Sequence, residues 1–455
     1  MIRRLASAFL FLLAASLFAQ DFGFGPGGGD DAAGRSGGNF SASVSGEASA
    51  SIIGYGKDFH DGPSHVNLGD IFSGKLNFAA GVSLAEAFIN LNITPSILPE
   101  FPITLDEAFV RAYFGKFEIE GGLRKLTWGK ADSFGPLDVI NPLDYSELTD
   151  LSDLMNFKIP RPLVRFSYRF GSFSKLESVF VPNFEPMRFA EEGRWAQAQM
   201  MDLSADNVTL PPGITLNLNE NKPGTSTIKY AQAGLRFTTT IGSADIGAQY
   251  YYGRLTKPAV DISFTTALPV IDVGINYYYN PYHQIGIDWA QVLLGFNIRA
   301  EFAANITEDL SGDDPAVYNP HLAWSFGFDR NVGAGINLSL QCNETIRLLN
   351  DKIAKDPIHI MYPDILSDME ANTDITSTQI IAAVYRNFFR DQLEVRVAVF
   401  WEIEAKDFML IPSLIWTRDA VAVELSGGIF GGDREGQFGQ FKGNSFVKAA
   451  LTYSF

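Results

Sequence analysis

Ser445-Phe446-Val447-Lys448-Ala449-Ala450-Leu451-Thr452-Tyr453-Ser454-Phe455 is a stretch in which apolar side chains recur at every second position. In an extended chain Val447, Ala449, Leu451, Tyr453 and Phe455 share one face, and Lys448, Thr452 and Ser454 share the other. Such a strand, with an aromatic last residue and nothing after it to cover its edge, is expected to close against the first strand of the same chain. An open edge in hydrocarbon would leave backbone donors without partners. The expected fold class is therefore all-β: a single transmembrane antiparallel β-barrel with both termini on the periplasmic side.

The N-terminal stretch agrees. Arg3 and Arg4 precede the apolar run Leu5 to Phe18, and Ala19-Gln20 offers a cleavage point, although Leu17 is not the small residue preferred two positions earlier. At about 14 residues, the run is shorter than the roughly 20 a spanning helix needs, and no cysteine follows it to carry a lipid anchor. The expected organisation is a signal peptide over 1–19, a flexible glycine-rich lead over 20–38 and a barrel over 39–455. The glycines of the lead match a phosphate-binding pattern only loosely, and neither a preceding strand nor a following helix supports that reading.

Composition narrows the classes further. The chain has 455 residues, 46% of them hydrophobic and 13% aromatic, spread along its whole length. That suits strands with one face in lipid. The formal charge of −17 argues against nucleic acid, which needs clustered Lys and Arg to displace its counterions. Cys342 is the single cysteine, so no intramolecular disulfide exists; its parity with Leu338 and Leu340 predicts a lipid-facing position.

From Phe40 onward period-two segments recur, about eighteen in number (16 to 20 as bounds), and short and long connections alternate between them, as bacterial barrels require. Residues 256–282 hold a further strand-like pair; it is read as a hairpin inside an outer loop, which keeps the count at about eighteen rather than twenty. Within 391–405, Leu393, Val395, Val397, Val399, Trp401 and Ile403 are expected toward lipid, and Glu394, Arg396, Phe400, Glu402 and Glu404 toward water. The same parity turns Arg111, Arg124, Arg165, Arg169, Arg236, Arg299 and Arg396 inward, together with Glu118, Glu120, Asp288, Glu301 and other carboxylates. An interior with both signs of charge is wet, which favours polar solutes. The first five arginines form a candidate basic wall; taken singly, each is expected to be a salt bridge of the wall.

The third long connection, 128–161, begins Trp128-Gly129-Lys130-Ala131-Asp132-Ser133-Phe134-Gly135-Pro136 and continues through Asn141-Pro142-Leu143-Asp144. Connections of this length are usually functional. Trp128, Asn141 and Pro142 are its candidate anchors. Asp132, Asp138, Asp144, Glu147, Asp150 and Asp153 are the candidate constriction carboxylates, expected to face the inward arginines if the segment folds into the lumen. Connection 183–226 includes Phe189 to Gln197, read as a short helix.

These motifs carry a resemblance. Trp-Gly followed by Asp, then Asn-Pro-x-Asp, resembles a family of largely uncharacterised bacterial outer-membrane barrels, distantly similar to porin-type and alginate-export channels. His283-Gln284-Ile285-Gly286-Ile287-Asp288 leading to Arg299-Ala300-Glu301, and the phenylalanine-ended last strand, resemble it too. Lys130-Ala131 departs from the Glu-Ser expected after Trp-Gly. The resemblance implies fold and location rather than cargo.

A hydrolase would need a serine activated by a histidine. His60, His65, His283, His321 and His359 are scattered without a serine or acid companion at catalytic or metal-ligand spacing. No enzyme activity, cofactor or metal is expected. The expected function is passage of small polar or charged solutes across the outer membrane; a transporter of hydrophobic substrates and a surface adhesin are the alternatives. Expected partners are outer-membrane lipid, the barrel-insertion machinery acting on the strand that ends at Phe455, small solutes and, in some assemblies, further copies of the chain.

Overall fold

The computed structural model describes residues 40–56, 72–94, 103–150, 154–196, 215–267, 270–314, 317–352, 375–434 and 436–455. The expected signal, the glycine-rich lead, His60, His65, His359 and Asp153 lie outside them.

Eighteen strands form one sheet that closes on itself. They are Ser41–Tyr55, Phe72–Val82, Ala85–Ile93, Ile103–Phe114, Phe117–Arg124, Arg161–Phe170, Ser174–Val181, Gln232–Ile241, Ala244–Arg254, Pro281–Leu293, Phe296–Thr307, His321–Asn331, Ile336–Arg347, Thr376–Phe388, Leu393–Glu402, Asp407–Arg418, Val421–Gly432 and Phe446–Ser454. Each pairs antiparallel with its sequence neighbours, and the last pairs with the first from Glu47↔Ser454 to Tyr55↔Phe446. The two faces separate as the pleat demands. On Pro281–Leu293, Ile285 and Ile287 are more than half exposed on the outside while Gln284 and Asp288 are buried within. A sealed antiparallel cylinder with an apolar outer belt is the architecture that lets strands cross a bilayer, and it places this protein in the bacterial outer membrane.

The strand-like pair in 256–282 stays out of the barrel. Ala259–Ala267 and Val270–Tyr278 form a hairpin that is joined by Thr215–Asn221 in a separate three-stranded sheet. Short connections occupy one rim and all the long ones the other; of the connections at that second rim, only 403–406 is tight. The first described strand begins, and the last ends, at the short-turn rim.

Two of the short turns fall about two residues later in the chain than the period-two pattern suggests, which puts them at Ala80-Gly81 and Val292-Leu293. Gly81 remains in the ladder opposite Ser41 and Glu86, and the turn is Ser83-Leu84; likewise the turn after Leu293 is Leu294-Gly295. Leu84, Leu294, Val332 and Phe389 are all exposed in these turns. A rim at the lipid interface tolerates apolar turn residues that water would disfavour, so the usual turn chemistry loses its predictive force there.

The seam is tight. Phe455 exchanges both of its backbone hydrogen bonds with Gly46, each 2.9 Å, and Ser49 meets Thr452 hydroxyl to hydroxyl at 2.6 Å. A Cβ on Gly46 would stand 2.5 Å from the Lys75 carbonyl and 2.8 Å from the Phe455 ring. Gly46→Val should therefore cost roughly 1–3 kcal/mol through overpacking at the closing strand pair. Heat-modifiable electrophoretic mobility of the refolded protein reads this directly: the folded band should be lost at a lower temperature than in wild type, and an unchanged transition would contradict a strained seam.

Candidate functional site

The described residues of the connection between Phe117–Arg124 and Arg161–Phe170, 125–150 and 154–160, do not leave the barrel. They hydrogen-bond to wall side chains on the buried face, the face opposite the apolar belt, so they lie inside the cylinder. Glu301 is the main point of attachment. Its carboxylate accepts the backbone N–H groups of Lys130, Ala131 (2.6 Å) and Leu137 (3.3 Å). Three donors on one carboxylate compensate much of its loss of water, at roughly 1.5–3 kcal/mol for each charged hydrogen bond. The glycines of the motif follow from this. Gly129 has φ +96, and a Cβ on it or on Gly135 would collide with the Glu301 carboxylate.

Neighbouring wall amides complete the attachment. Gln341 accepts from the N–H groups of Asp132 (3.0 Å) and Ser133 (3.3 Å) and donates to the Ser133 carbonyl (2.5 Å). Gln284 donates to the Pro136 carbonyl and Gln249 to the Leu137 carbonyl, each at 3.0 Å. Leu137 is fully buried with Ala303 and Ala323, against Gly286, where any Cβ would strike it. Phe134 takes φ +45, a region uncommon for an aromatic residue, which marks a segment whose conformation its surroundings dictate.

Trp128 donates its ring N–H to Glu177 at 2.7 Å and lies edge-on to Tyr251, over the backbone of Gly234. Asn141 holds the two ends of the segment together: it accepts from Leu126 N–H (2.8 Å) and donates to the carbonyls of Arg124 (3.0 Å) and Ile159 (2.8 Å). The Pro142 carbonyl receives the Ile159 N–H at 2.8 Å.

The five described carboxylates have diverse partners. Asp132 pairs with Arg299 of the wall. Asp138 is paired with Lys158 at 2.6 Å; burial pushes its carboxyl above the ordinary range despite the pull of that ammonium. Asp144 meets Arg188 at 3.5 Å and caps Ser146, Glu147 bonds Thr149, and Asp150 takes Asn156. The arginines face wall carboxylates. Arg111 sits 2.5 Å from Glu120, Arg124 3.2 Å from Glu107, and Arg165 2.8 Å from Glu120 and 3.0 Å from Glu177. Arg169 lies 3.9 Å from Glu118 and Arg236 2.6 Å from Asp288. The structure thus brings one of these carboxylates, Asp132, onto an inward arginine, and connects the basic wall to the segment through Glu177, which serves both Arg165 and Trp128. Among the described residues no cluster of His, Cys, Asp and Glu is arranged to hold a metal.

The far end of the segment packs on aromatic side chains. Phe134 lies 6.3 Å from Phe400 of the wall, and Tyr145 lies 6.0 Å from Phe157 and stacks on Phe189 at 5.9 Å. Phe189 belongs not to a helix but to a two-residue strand, Arg188–Phe189, paired with Asp144–Tyr145. The backbone of Gly193, at φ +86, then turns Trp195 into a cluster with Tyr55, Phe430, Phe441 and Phe446. A cavity of about 200 Å³ opens between the segment, the wall and residues 437–441. Inward parity exposes Gln249, Gln284 and Gln341 as candidates once an acceptor-rich segment is known to lie opposite; the sequence alone offers them no partner. Phe400, an aromatic residue on an otherwise polar face, was the visible signal of the apolar region.

Several solved structures are similar to the chain at about a tenth of sequence identity. OccAB3 of Acinetobacter baumannii aligns at 10% identity and TM-score 0.48 over 92% of this chain and 99% of its own. Wzi of Escherichia coli, described as a carbohydrate-binding β-barrel involved in group 1 capsule assembly, aligns at 10% and 0.45 over 90% and 84%. OmpT of Vibrio cholerae aligns at 10% and 0.42 over 91% and 99%. No curated protein sequence matches the chain. A family model described as a protein of unknown function, DUF1302, matches residues 99–455, which include the docked segment, its Glu301 anchor and the closing strand, and the chain belongs to that family.

Proposed function

We propose that this barrel is a channel for small polar or charged solutes, with residues 125–160 as its constriction, its long connections at the cell surface and both chain ends in the periplasm. The observation that carries the reading is the capture of three backbone N–H groups by Glu301, which fastens the segment across the inner wall rather than over the mouth. The lumen around it is polar, as water-filled conduits require. Because the wall arginines have carboxylate partners, their field is short-ranged, and the passage is expected to sort solutes by size more than by sign. The strand ending at Phe455 supplies the free edge that an insertion machinery would grip before the seam closes, and lipid contacts the outer belt.

Single-channel recordings in planar bilayers test this. Wild type should conduct, and deletion of residues 131–157 should raise the conductance; an unchanged value would reject the constriction. Glu301→Gln keeps the side chain's shape but donates where the segment also donates, so open-channel noise and protease sensitivity within 128–137 should both increase while the barrel stays folded.

Arg165→Gln should shift selectivity toward cations, since Glu118, Glu120 and Glu177 then lose a shared counter-charge. The reversal potential under a salt gradient measures it, and no shift would mean that solutes do not approach this wall.

A further inference from the structure

We propose that the cavity between the docked segment and the wall is a binding site for a small uncharged aromatic compound carrying one hydrogen-bonding substituent. Four parts of the chain build it. The docked segment gives Phe134, Tyr145, Leu148 and Phe157, the short strand gives Phe189, the wall gives Gln379, Phe400, Met409 and Ile411, and the rim gives Gln437, Phe438 and Phe441. Among the described lining residues none is Lys, Arg, Asp or Glu.

Simple packing does not account for the space. Apolar side chains that serve only to pin a segment close-pack and leave few voids larger than a water molecule. This partly open recess measures about 200 Å³, and water gains little against a surface of rings. An apolar cavity of about 150 Å³ in another protein holds benzene, so this one suits a compound of about one or two rings. An apolar enclosure with a few convergent polar groups is the usual form of a small-molecule site.

The polar end is preset. The Gln379 amide nitrogen donates one hydrogen to Glu402 at 2.5 Å, and its oxygen accepts from Asn343 at 3.3 Å, which fixes the orientation of the amide. Its second N–H is then the natural donor to a hydroxyl or carbonyl oxygen on a bound ring. The described lining offers no cation to balance a negative charge taken out of water. Aromatic carboxylates are thereby disfavoured and phenols favoured.

This inference stands independently of the channel reading. Isothermal titration of the purified full-length protein in detergent with 2-naphthol tests it, with 2-naphthoate as the charged counterpart. Wild type should show saturable single-site binding, and 2-naphthoate should bind about tenfold more weakly or worse. Leu148→Trp and Met409→Trp fill the cavity from opposite sides, and each should weaken 2-naphthol by about tenfold. Gln379→Leu should weaken 2-naphthol by about fivefold and leave naphthalene unaffected. Heat-modifiable mobility establishes that each variant is folded. Binding equal in wild type and in both folded filled variants would reduce the signal to micelle partition and overturn the proposal, as would equal affinity for the anion. Conductance measured on the same preparations separates the two readings: binding without conductance removes only the channel, and conductance without binding removes only this site.

Discussion

A strand crossing hydrocarbon has no water to receive its edge amides, and this single constraint organises the protein. Every backbone donor and acceptor in the crossing region must find another strand, so the sheet either closes or does not enter the bilayer. Closure here is the ladder from Glu47↔Ser454 to Tyr55↔Phe446, which the reciprocal bonds of Gly46 and Phe455 extend to the last residue, so neither strand has a free edge at the seam. Once the cylinder is sealed, the two-residue pleat assigns each side chain to lipid or to the lumen with no intermediate option. The polar residues have only the inside, and what they do there is the functional question.

Inside, the expensive groups are charges removed from bulk water, and the wall resolves them in two ways. Strands Ile103–Phe114, Phe117–Arg124, Arg161–Phe170 and Ser174–Val181 alternate acids and bases across neighbouring positions, so Glu118, Glu120 and Glu177 each serve more than one cation. Glu301, by contrast, takes its compensation from the backbone of the segment that crosses the lumen. That choice couples the charge of the wall to the position of the segment: the carboxylate needs those N–H groups as much as the segment needs an anchor.

The barrel was legible in the sequence because a period of two survives any tertiary environment that keeps lipid on one side. All eighteen crossing segments follow from that rhythm and from the alternation of connection lengths, whereas the 259–278 hairpin has the same rhythm and satisfies the parity whether counted or not, so its place outside the wall is a finding of the fold. The turns were less legible, since Leu84 and Leu294 occupy positions that turn chemistry in water would give to glycine or asparagine. The bulge that skips Asp106 between Leu105 and Glu107 is invisible to a strict alternation. The site was legible only in part. Trp128, Asn141 and Pro142 were recognisable because Trp, Asn and Pro have few interchangeable uses in a long connection, and the structure gives each a buried place. Gln249, Gln284 and Gln341 were not, because an inward glutamine looks the same whether it faces water or a backbone carbonyl. The two sequence motifs of the family resemblance, 128–136 and 283–301, gain their meaning only when the fold sets one against the other.

The aromatic region near the rim bears on how such a lumen discriminates. A wall in which acids and bases cancel has little reach beyond a few ångströms in salt, so it presents a passing solute with water and dipoles rather than a strong field. Phe400, Met409 and Ile411 break this pattern, as Leu163, Val179 and Tyr251 do elsewhere on the wall, and the docked segment brings Phe134 and Phe157 to face the first group. The same backbone that Glu301 holds near Lys130 therefore determines, some residues later, where the rings stand. Under the proposed channel function, a polar lumen with an apolar recess favours compounds having both characters, because a purely polar solute gains nothing from the recess and a purely apolar one gains nothing elsewhere. Recess and constriction are, on that same reading, parts of a single device, because the segment that Glu301, Gln341 and Asn141 hold against the wall supplies residues to both.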